Sequence, residues 1–217
     1  MMQIENARRG RDAAGRVPGL IGPNAVLQLE SALVDHGGDG AAREVFLTAG
    51  HASLLKDRPT EMIDERVPAS LYEALWTCQP DDAARRIAYD AGLKTGAYIL
   101  QYRIPRIATV LLKSLPRRLA AQILLKAISK NAWTFAGSGT CRVRMDADAH
   151  VDIEHNPLAM PGCVWHVGVF EALFGALIGT GIDVRHSHAG EDDNVLCQFD
   201  ISYDRSKRQG VCGDAGA

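Results

Sequence analysis

Four residues in the C-terminal third have the types and spacing to hold a metal: Cys163, His186, His188 and Cys197. In GIDVRHSH, the residues Ile182, Val184, His186 and His188 alternate onto one face, and in NVLCQFDISY so do Val195, Cys197, Phe199, Ile201 and Tyr203. With AGEDDN as a hairpin loop, His188 is predicted opposite Val195 and His186 opposite Cys197. Cross-strand neighbours on one face have Cβ atoms about 4.5–5.5 Å apart, within reach of a shared ion. Cys163 opens the preceding helix, and the chain turns at Gly179–Gly181 before returning as a strand. Helix and strand rise about 1.5 and about 3.3 Å per residue, so the return path brings both histidines back beside Cys163. Two thiolates and two imidazoles suit tetrahedral zinc, and four protein ligands would make it structural. The competing reading is two buried core cysteines and hydrogen-bonded histidines. The spacing C-x22-H-x-H-x8-C is not a standard zinc signature. His150, His155 and His166 are alternative ligands, and His166 lies one helical turn from Cys163.

The elements that must position these residues read as α/β (α+β): a helical N-terminal half followed by a β-β-α-β-β antiparallel unit. Residues 1–20 read as a polar arm. Residues 21–132 are helical: GPNAVLQLESALVDHGG capped by Gly37, AAREVFLTAG closed by Gly50, PASLYEALWTCQP, and a long helix from Asp81 or Asp82 towards Tyr102. Pro105 and Pro116 open two more, IATVLLKSL and RRLAAQILLKAISK. From 133 to 204 alternation takes over. TCRVRMD and AHVDIEH are strands, CVWHVGVFEALFGALIG is an apolar helix, and two further strands close the unit. Gly168 and Gly175 in that helix allow another backbone to approach closely. Residues 205–217 read as a flexible tail.

Composition narrows the function classes. With 47% hydrophobic and 23% charged residues over 217 positions, the chain is an ordinary folded domain, not a disordered or disulfide-dense one. A balance of 24 basic to 26 acidic residues and 6% aromatics argue against a nucleic-acid platform. The five cysteines are widely spaced without CxxC, and the N-terminus lacks a secretory apolar run, so a cytoplasmic or membrane-peripheral location is expected. No window approaches the roughly 18 apolar residues of a transmembrane helix. The charge is one-sided. Ala91 to Met145 contains ten basic residues and no acid, leaving 14 basic against 26 acidic elsewhere. Such a stretch meets anionic headgroups or a carboxylate-bearing ligand, or is only a solvated helix face.

Motifs for self-sufficient redox chemistry are missing. GSGTC leads into a strand and GALIGTG closes a helix, so neither is a dinucleotide turn. The sequence has no NAD(P) motif, P-loop, iron–sulfur cysteine set or GxSxG.

The segment from Thr140 to Tyr203 resembles the vinyl-4-reductase domain family. The likeness rests on NPLAMPGC, the glycine-spaced helix CVWHVGVFEALFGALIG, VRHSH and the closing Cys197, Phe199 and Ile201. IGPNAVLQL near the N-terminus extends it over nearly the whole chain. The resemblance implies a fold similar to the ligand-binding fold of vesicle-tethering subunits, an apolar pocket and a homodimer. Relatives that sense aromatics bind zinc through a Cys, an acidic residue and two later Cys. Cys163 and Cys197 match the first and last of these, His186 falls at the acidic position, and Ala189 replaces the middle Cys with His188 just before it. The implied role is in bacteriochlorophyll synthesis: binding a Mg-tetrapyrrole intermediate (divinyl protochlorophyllide or chlorophyllide) as carrier or accessory for 8-vinyl (4-vinyl) reduction. Alternatives are the reductase itself with an external electron donor, or a small-molecule sensor or scaffold. Pigment-synthesis enzymes at a membrane surface are the implied partners. A histidine facing an apolar pocket could ligate the pigment magnesium. Arg103, Arg106, Arg142 and Arg144 are the candidates for the pigment carboxylate.

Overall fold

The computed structural model describes residues 17–189 and 196–203. Most of the expected N-terminal arm, most of the AGEDDN loop and the tail lie outside the described residues.

The helical half follows the sequence punctuation closely. Helix α1 (Asn24–Thr48) contains the two predicted helices, which meet at Gly38 and not at Gly37. Gly38 has φ 71° and ψ −176°, a conformation that needs no Cβ and breaks the helical ladder. Helix α2 spans Arg66–Cys78, and α3 spans Asp81–Tyr102 with Asp81 and Asp82 in its positively polarised first turn. Pro105 and Pro116 stand at the N-caps of α4 (Arg106–Ser114) and α5 (Arg117–Lys130), where a missing N–H costs nothing. One feature of this half departs from the reading. Two-residue strands β1 (Leu20–Ile21) and β2 (Ile63–Asp64) pair antiparallel and pin the chain entry against the α2 N-terminus. Strands this short show no periodicity in a sequence.

The second half is the expected β-β-α-β-β unit: β3 (Thr140–Met145), β4 (Ala149–Glu154), helix α6 (Val164–Leu177), β5 (Asp183–Ala189) and β6 (Leu196–Ser202). The strands form one antiparallel sheet in the order β3-β4-β6-β5. Alternation sets its faces. Ala149, Val151 and Ile153 of β4 and Cys197, Phe199 and Ile201 of β6 are fully buried, while Arg142, Arg144 and Asp200 face solvent. Burying side chains such as Phe199 or Ile153 contributes about 1.5–3 kcal/mol each.

Helix α6 is apolar on nearly every side because it is covered twice, by the sheet and by α3. The α3–α6 crossing is backbone on backbone. A Cβ on Gly92 would stand 2.1 Å from the Trp165 carbonyl oxygen, and one on Gly168 would stand 2.4 Å from that of Tyr89. Gly175, by contrast, has nothing within 4 Å, so its expected role in close approach is corrected: only Gly168 provides it.

The β5–β6 register also corrects an expectation. His188 pairs with Cys197 and His186 with Phe199, two residues displaced from the predicted alignment. Pairing continues one residue further along β5, to Ala189 opposite Leu196, and because the partner shift is an even number each residue keeps its face.

Candidate functional site

Cys163 enters the site by an unusual backbone path. Gly162 (φ 75°) and Cys163 (φ 43°) are both left-handed, and Cys163 is the N-cap of α6. For a residue with a Cβ this conformation costs roughly 1–2 kcal/mol. The surrounding structure overrides that cost, a pattern concentrated at functional sites. The turn directs the Cys163 thiol onto the sheet, where its Sγ lies 2.8 Å from the Sγ of Cys197. Asn156 in the β4–α6 loop donates from Nδ2 to both sulfurs, at 3.4 Å to Cys197 and 3.8 Å to Cys163. Its Oδ1 accepts from the Leu158 backbone N–H at 3.0 Å, which fixes the amide.

His186 completes the group. One ligand atom from each of Cys163, His186 and Cys197 lies within 4.8 Å of the others. His186 reaches Cys197 from the diagonal position, a distance an imidazole spans. Its buried Nε2 makes no hydrogen bond. The structure thus brings together three of the four predicted ligands. His188, directly across from Cys197, is exposed, and its ring stacks on that of His186 with centroids 6.0 Å apart.

The electrostatics divide the two thiols. The hydrogen bond from Cys163, helped by His186 and Asn156, holds Cys197 below the usual thiol range against the opposing effect of burial. Cys163, as the donor and a buried group, is pushed up and keeps its proton. One thiolate, one thiol and one imidazole form a soft donor set fitted to zinc. Two sulfurs on a tetrahedral zinc stand about 3.8 Å apart, given Zn–S bonds of about 2.3 Å. A metal would therefore part the cysteines by about an ångström and displace the Cys163 proton. Three protein ligands leave the fourth position open to a small molecule.

Behind this group lies a buried aromatic cluster that carries more unpaired polar atoms. His166 is 1% exposed, with its ring 4.7 Å from Trp165 and 5.7 Å from Phe199. Burial pushes its pKa down to about 3, so the ring is neutral. Neither His166 nitrogen makes a full hydrogen bond, and the Trp165 Nε1 and the Tyr72 hydroxyl are likewise buried without partners. Such groups are rare in a folded protein, because each costs about 1–3 kcal/mol.

A pocket of about 380 Å³ opens beside them, between α2 and the β4–α6 loop. Tyr72, Trp76 and Ala69 form one wall, Leu158, Met160 and Pro157 the other, and Asn156 connects the pocket to the cysteine pair. An apolar pocket is what the resemblance implies, but neither Asn156 nor the other lining residues carry a signal of it in the sequence. The pocket walls lie more than eighty positions apart, and the Asn-Pro pair reads locally only as a turn.

The four arginines expected at a pigment carboxylate lie outside this pocket. Arg142 pairs with Glu154, and Arg144 lies 3.6 Å from both Asp146 and Asp152, all on the solvent face of the sheet. Arg103 and Arg106 are exposed at the α3–α4 junction. None of the four lines the pocket. His150 is held between Asp146 and Asp200 at 2.9 and 2.6 Å on the outer face, far from the cysteines in the sheet.

An α/β domain of this order, with a helix-rich first half and a four-stranded antiparallel sheet, is the fold of H-NOX domains. A structure from a study of heme distortion in the H-NOX family aligns with a TM-score of 0.54 at 11% identity, covering 84% of this chain and 95% of that one. A doubly substituted H-NOX variant aligns with a TM-score of 0.52 at 12% identity, covering 84% and 95%. At such identities the likeness defines the fold. No protein-family model matches the chain. Two relatives are much nearer in sequence. The bacteriochlorophyll synthase 23 kDa chain of Cereibacter sphaeroides is 37% identical over 190 residues, covering 83% of this chain and 89% of the relative. That of Rhodobacter capsulatus is 36% identical over 184 residues, covering 82% and 85%. The chain belongs to the family of bacteriochlorophyll synthase 23 kDa chains.

Proposed function

We propose that the protein acts in bacteriochlorophyll synthesis by binding a Mg-tetrapyrrole intermediate, divinyl protochlorophyllide or chlorophyllide, and presenting it for 8-vinyl reduction. The observation that carries this reading is the pocket between α2 and the β4–α6 loop, walled by Tyr72, Trp76, Leu158 and Met160, in a chain whose relatives are named for bacteriochlorophyll synthesis. Aromatic and apolar walls suit a flat apolar macrocycle, and a few polar atoms orient it. The volume of about 380 Å³ is at the small end for ligand sites, so the plate enters by one edge and keeps the other exposed. A half-covered pigment is one that a second protein can take over. The solved neighbours include domains studied for heme distortion, which shows that their version of the fold works with a tetrapyrrole.

Zinc at Cys163, His186 and Cys197 is part of the same proposal. It would tie the start of α6 to the sheet and set the position of Asn156 at the pocket wall. With three protein ligands in place of the four expected, its fourth position would be left to water.

One observation favours a second reading, vinyl reduction by this chain itself. The Cys163 sulfur lies 3.8 Å from the amide of Asn156, a pocket-wall residue, so a sulfur pair of redox-capable type stands directly behind the pocket. Conversion of vinyl to ethyl takes two electrons and two protons; the electrons would come from an external donor such as NADPH or reduced ferredoxin, and the protons not carried by that donor from water.

The test is an absorbance titration of the full chain with divinyl chlorophyllide. Saturable binding in the wild type, lost in Ala69→Trp, supports the carrier reading, since that substitution fills the pocket. Conversion of the bound vinyl group after adding reduced ferredoxin or NADPH replaces it with the enzyme reading. Affinity no greater than for unrelated aromatics overturns both in favour of a sensor or scaffold.

A further inference from the structure

Helix α4 is amphipathic in the wrong direction for a helix packed on a protein core. Ile107, Val110 and Leu111 are 84%, 69% and 57% exposed. Their i, i+3, i+4 spacing puts them in one stripe. Leu112 is buried at 8% and anchors the opposite side. The helix thus seats one leucine in the protein and turns its apolar stripe outward. On α5, which contacts α4, Leu119 and Ile123 are each 43% exposed and lie one turn apart. Single exposed apolar side chains are ordinary, but five on two adjoining helices mark an interaction surface.

The charge around this surface is as uneven as its hydropathy. Arg103, Arg106, Lys113 and Arg118 are exposed, and none has an ion-pair partner among the described residues. Arg106 and Lys113, seven positions apart, run along one flank of the stripe. Basic residues at the ends of the acid-free stretch behave differently: Lys94 pairs with Asp35 at 2.6 Å and Arg142 with Glu154. These four cations therefore lie on or next to the two helices that carry the stripe, in a region where Ala91 to Met145 supplies no acid.

We infer that α4 and the start of α5 form a docking face for an anionic lipid bilayer. The occupant must be apolar beneath the stripe and negative around it, and acidic headgroups over acyl chains offer both. A second copy of this chain fits poorly, because it would bring two positive rims together. At nine residues α4 is too short to cross the hydrocarbon, and no helix among the described residues is long and apolar enough to do so. It would lie in the plane of the interface. This inference stands apart from the pigment reading, since the stripe shares no residue with the pocket wall.

The test is co-sedimentation of the full chain with vesicles of phosphatidylglycerol and phosphatidylcholine, and with phosphatidylcholine alone. Binding to the anionic vesicles at least tenfold stronger than to the neutral ones, and weakening as salt rises, is expected. Ile107→Ser with Leu111→Ser, and separately Arg106→Glu with Lys113→Glu, should each reduce anionic binding at least tenfold with unchanged circular dichroism. All four positions are exposed, so neither pair threatens the fold. Absence of pelleting with anionic vesicles, or serine variants that pellet like the wild type, would overturn the inference. So would light scattering that shows a dimer broken by the serine pair without loss of vesicle binding.

Discussion

Cys163 and Cys197 stand 34 positions apart in the chain, yet their sulfurs approach to 2.8 Å, bridged on one side by the Asn156 amide. That separation lies between a disulfide at about 2.0 Å and a zinc-bound pair at about 3.8 Å. Either state would need only a small movement of the two sulfurs from this separation.

Zinc content is the first measurable consequence. Wild-type protein refolded with zinc should hold about one ion per chain, and Cys163→Ser, Cys197→Ser and His186→Ala should each lose most of it. His188→Ala should retain zinc within about twofold of wild type, since its ring lies outside the three-residue group. Elemental analysis after gel filtration, with competition against a chromophoric chelator, checks both statements. A His188 variant as depleted as the others would contradict the assignment.

Oxidation is the second. In metal-free protein, mild oxidant should join Cys163 to Cys197, because a stabilised thiolate beside a thiol reacts readily. Bound zinc should slow the reaction at least tenfold by occupying both sulfurs. Mass spectrometry after alkylation reads it directly, and full alkylation of both cysteines in oxidised apo protein would exclude it.

The outer face of the sheet predicts a pH dependence unrelated to the cysteines. Partial burial opposes charge on His150, but Asp146 and Asp200 outweigh it and raise its pKa. A raised folded-state value means stability that is fully present below the unfolded pKa of about 6.5 and is lost as pH rises through the folded value. Asp146 has the opposite sign. The hydrogen bond from His150 lowers it to about 2, so its contribution is present above the unfolded carboxylate range and is lost as pH falls towards that value. Urea unfolding of wild type and His150→Asn between pH 5 and 9 should converge on the alkaline side. A constant difference across that range would rule the pair out as the cause.

Two glycines on one helix should respond oppositely to alanine. Gly168→Ala drives a methyl to 2.4 Å from the Tyr89 carbonyl and should destabilise by about 1–3 kcal/mol. Gly175→Ala meets nothing within 4 Å in a helical conformation and should stabilise by up to about 1 kcal/mol. Thermal melts of the two variants distinguish the crossing from simple helix propensity, and equal shifts would refute the contact argument.

Local signals in the sequence were strong where the physics is local. Pro105 and Pro116 fix helix starts by their rings, and alternation in TCRVRM and LCQFDIS sorts inward from outward residues. Features that depend on long-range alignment were not legible. The displaced β5–β6 register is one of them: alternation assigns each residue a face but leaves a two-residue shift of partner undetermined. Arg142 and Arg144 read as free cations because their partners Glu154 and Asp152 sit on the neighbouring strand. His166 looked like a spare ligand one turn from Cys163. The turn that puts Cys163 in a left-handed conformation separates them, so the thiol meets the sheet while the imidazole enters the aromatic core. The Asn156 contact joins two distant segments, the β4–α6 loop with Cys163 and strand β6 with Cys197.

The strand order has a bearing on how this centre is filled. β5 is the outermost strand, zipped to β6 along one flank only, and it brings the imidazole, while both sulfurs belong to elements held from two sides. Peeling that margin back by a few residues would unhook His186 and leave the thiols in place. Such an opening, hinged on the sheet border, would give an ion held there its own door while the rest of the molecule stays shut.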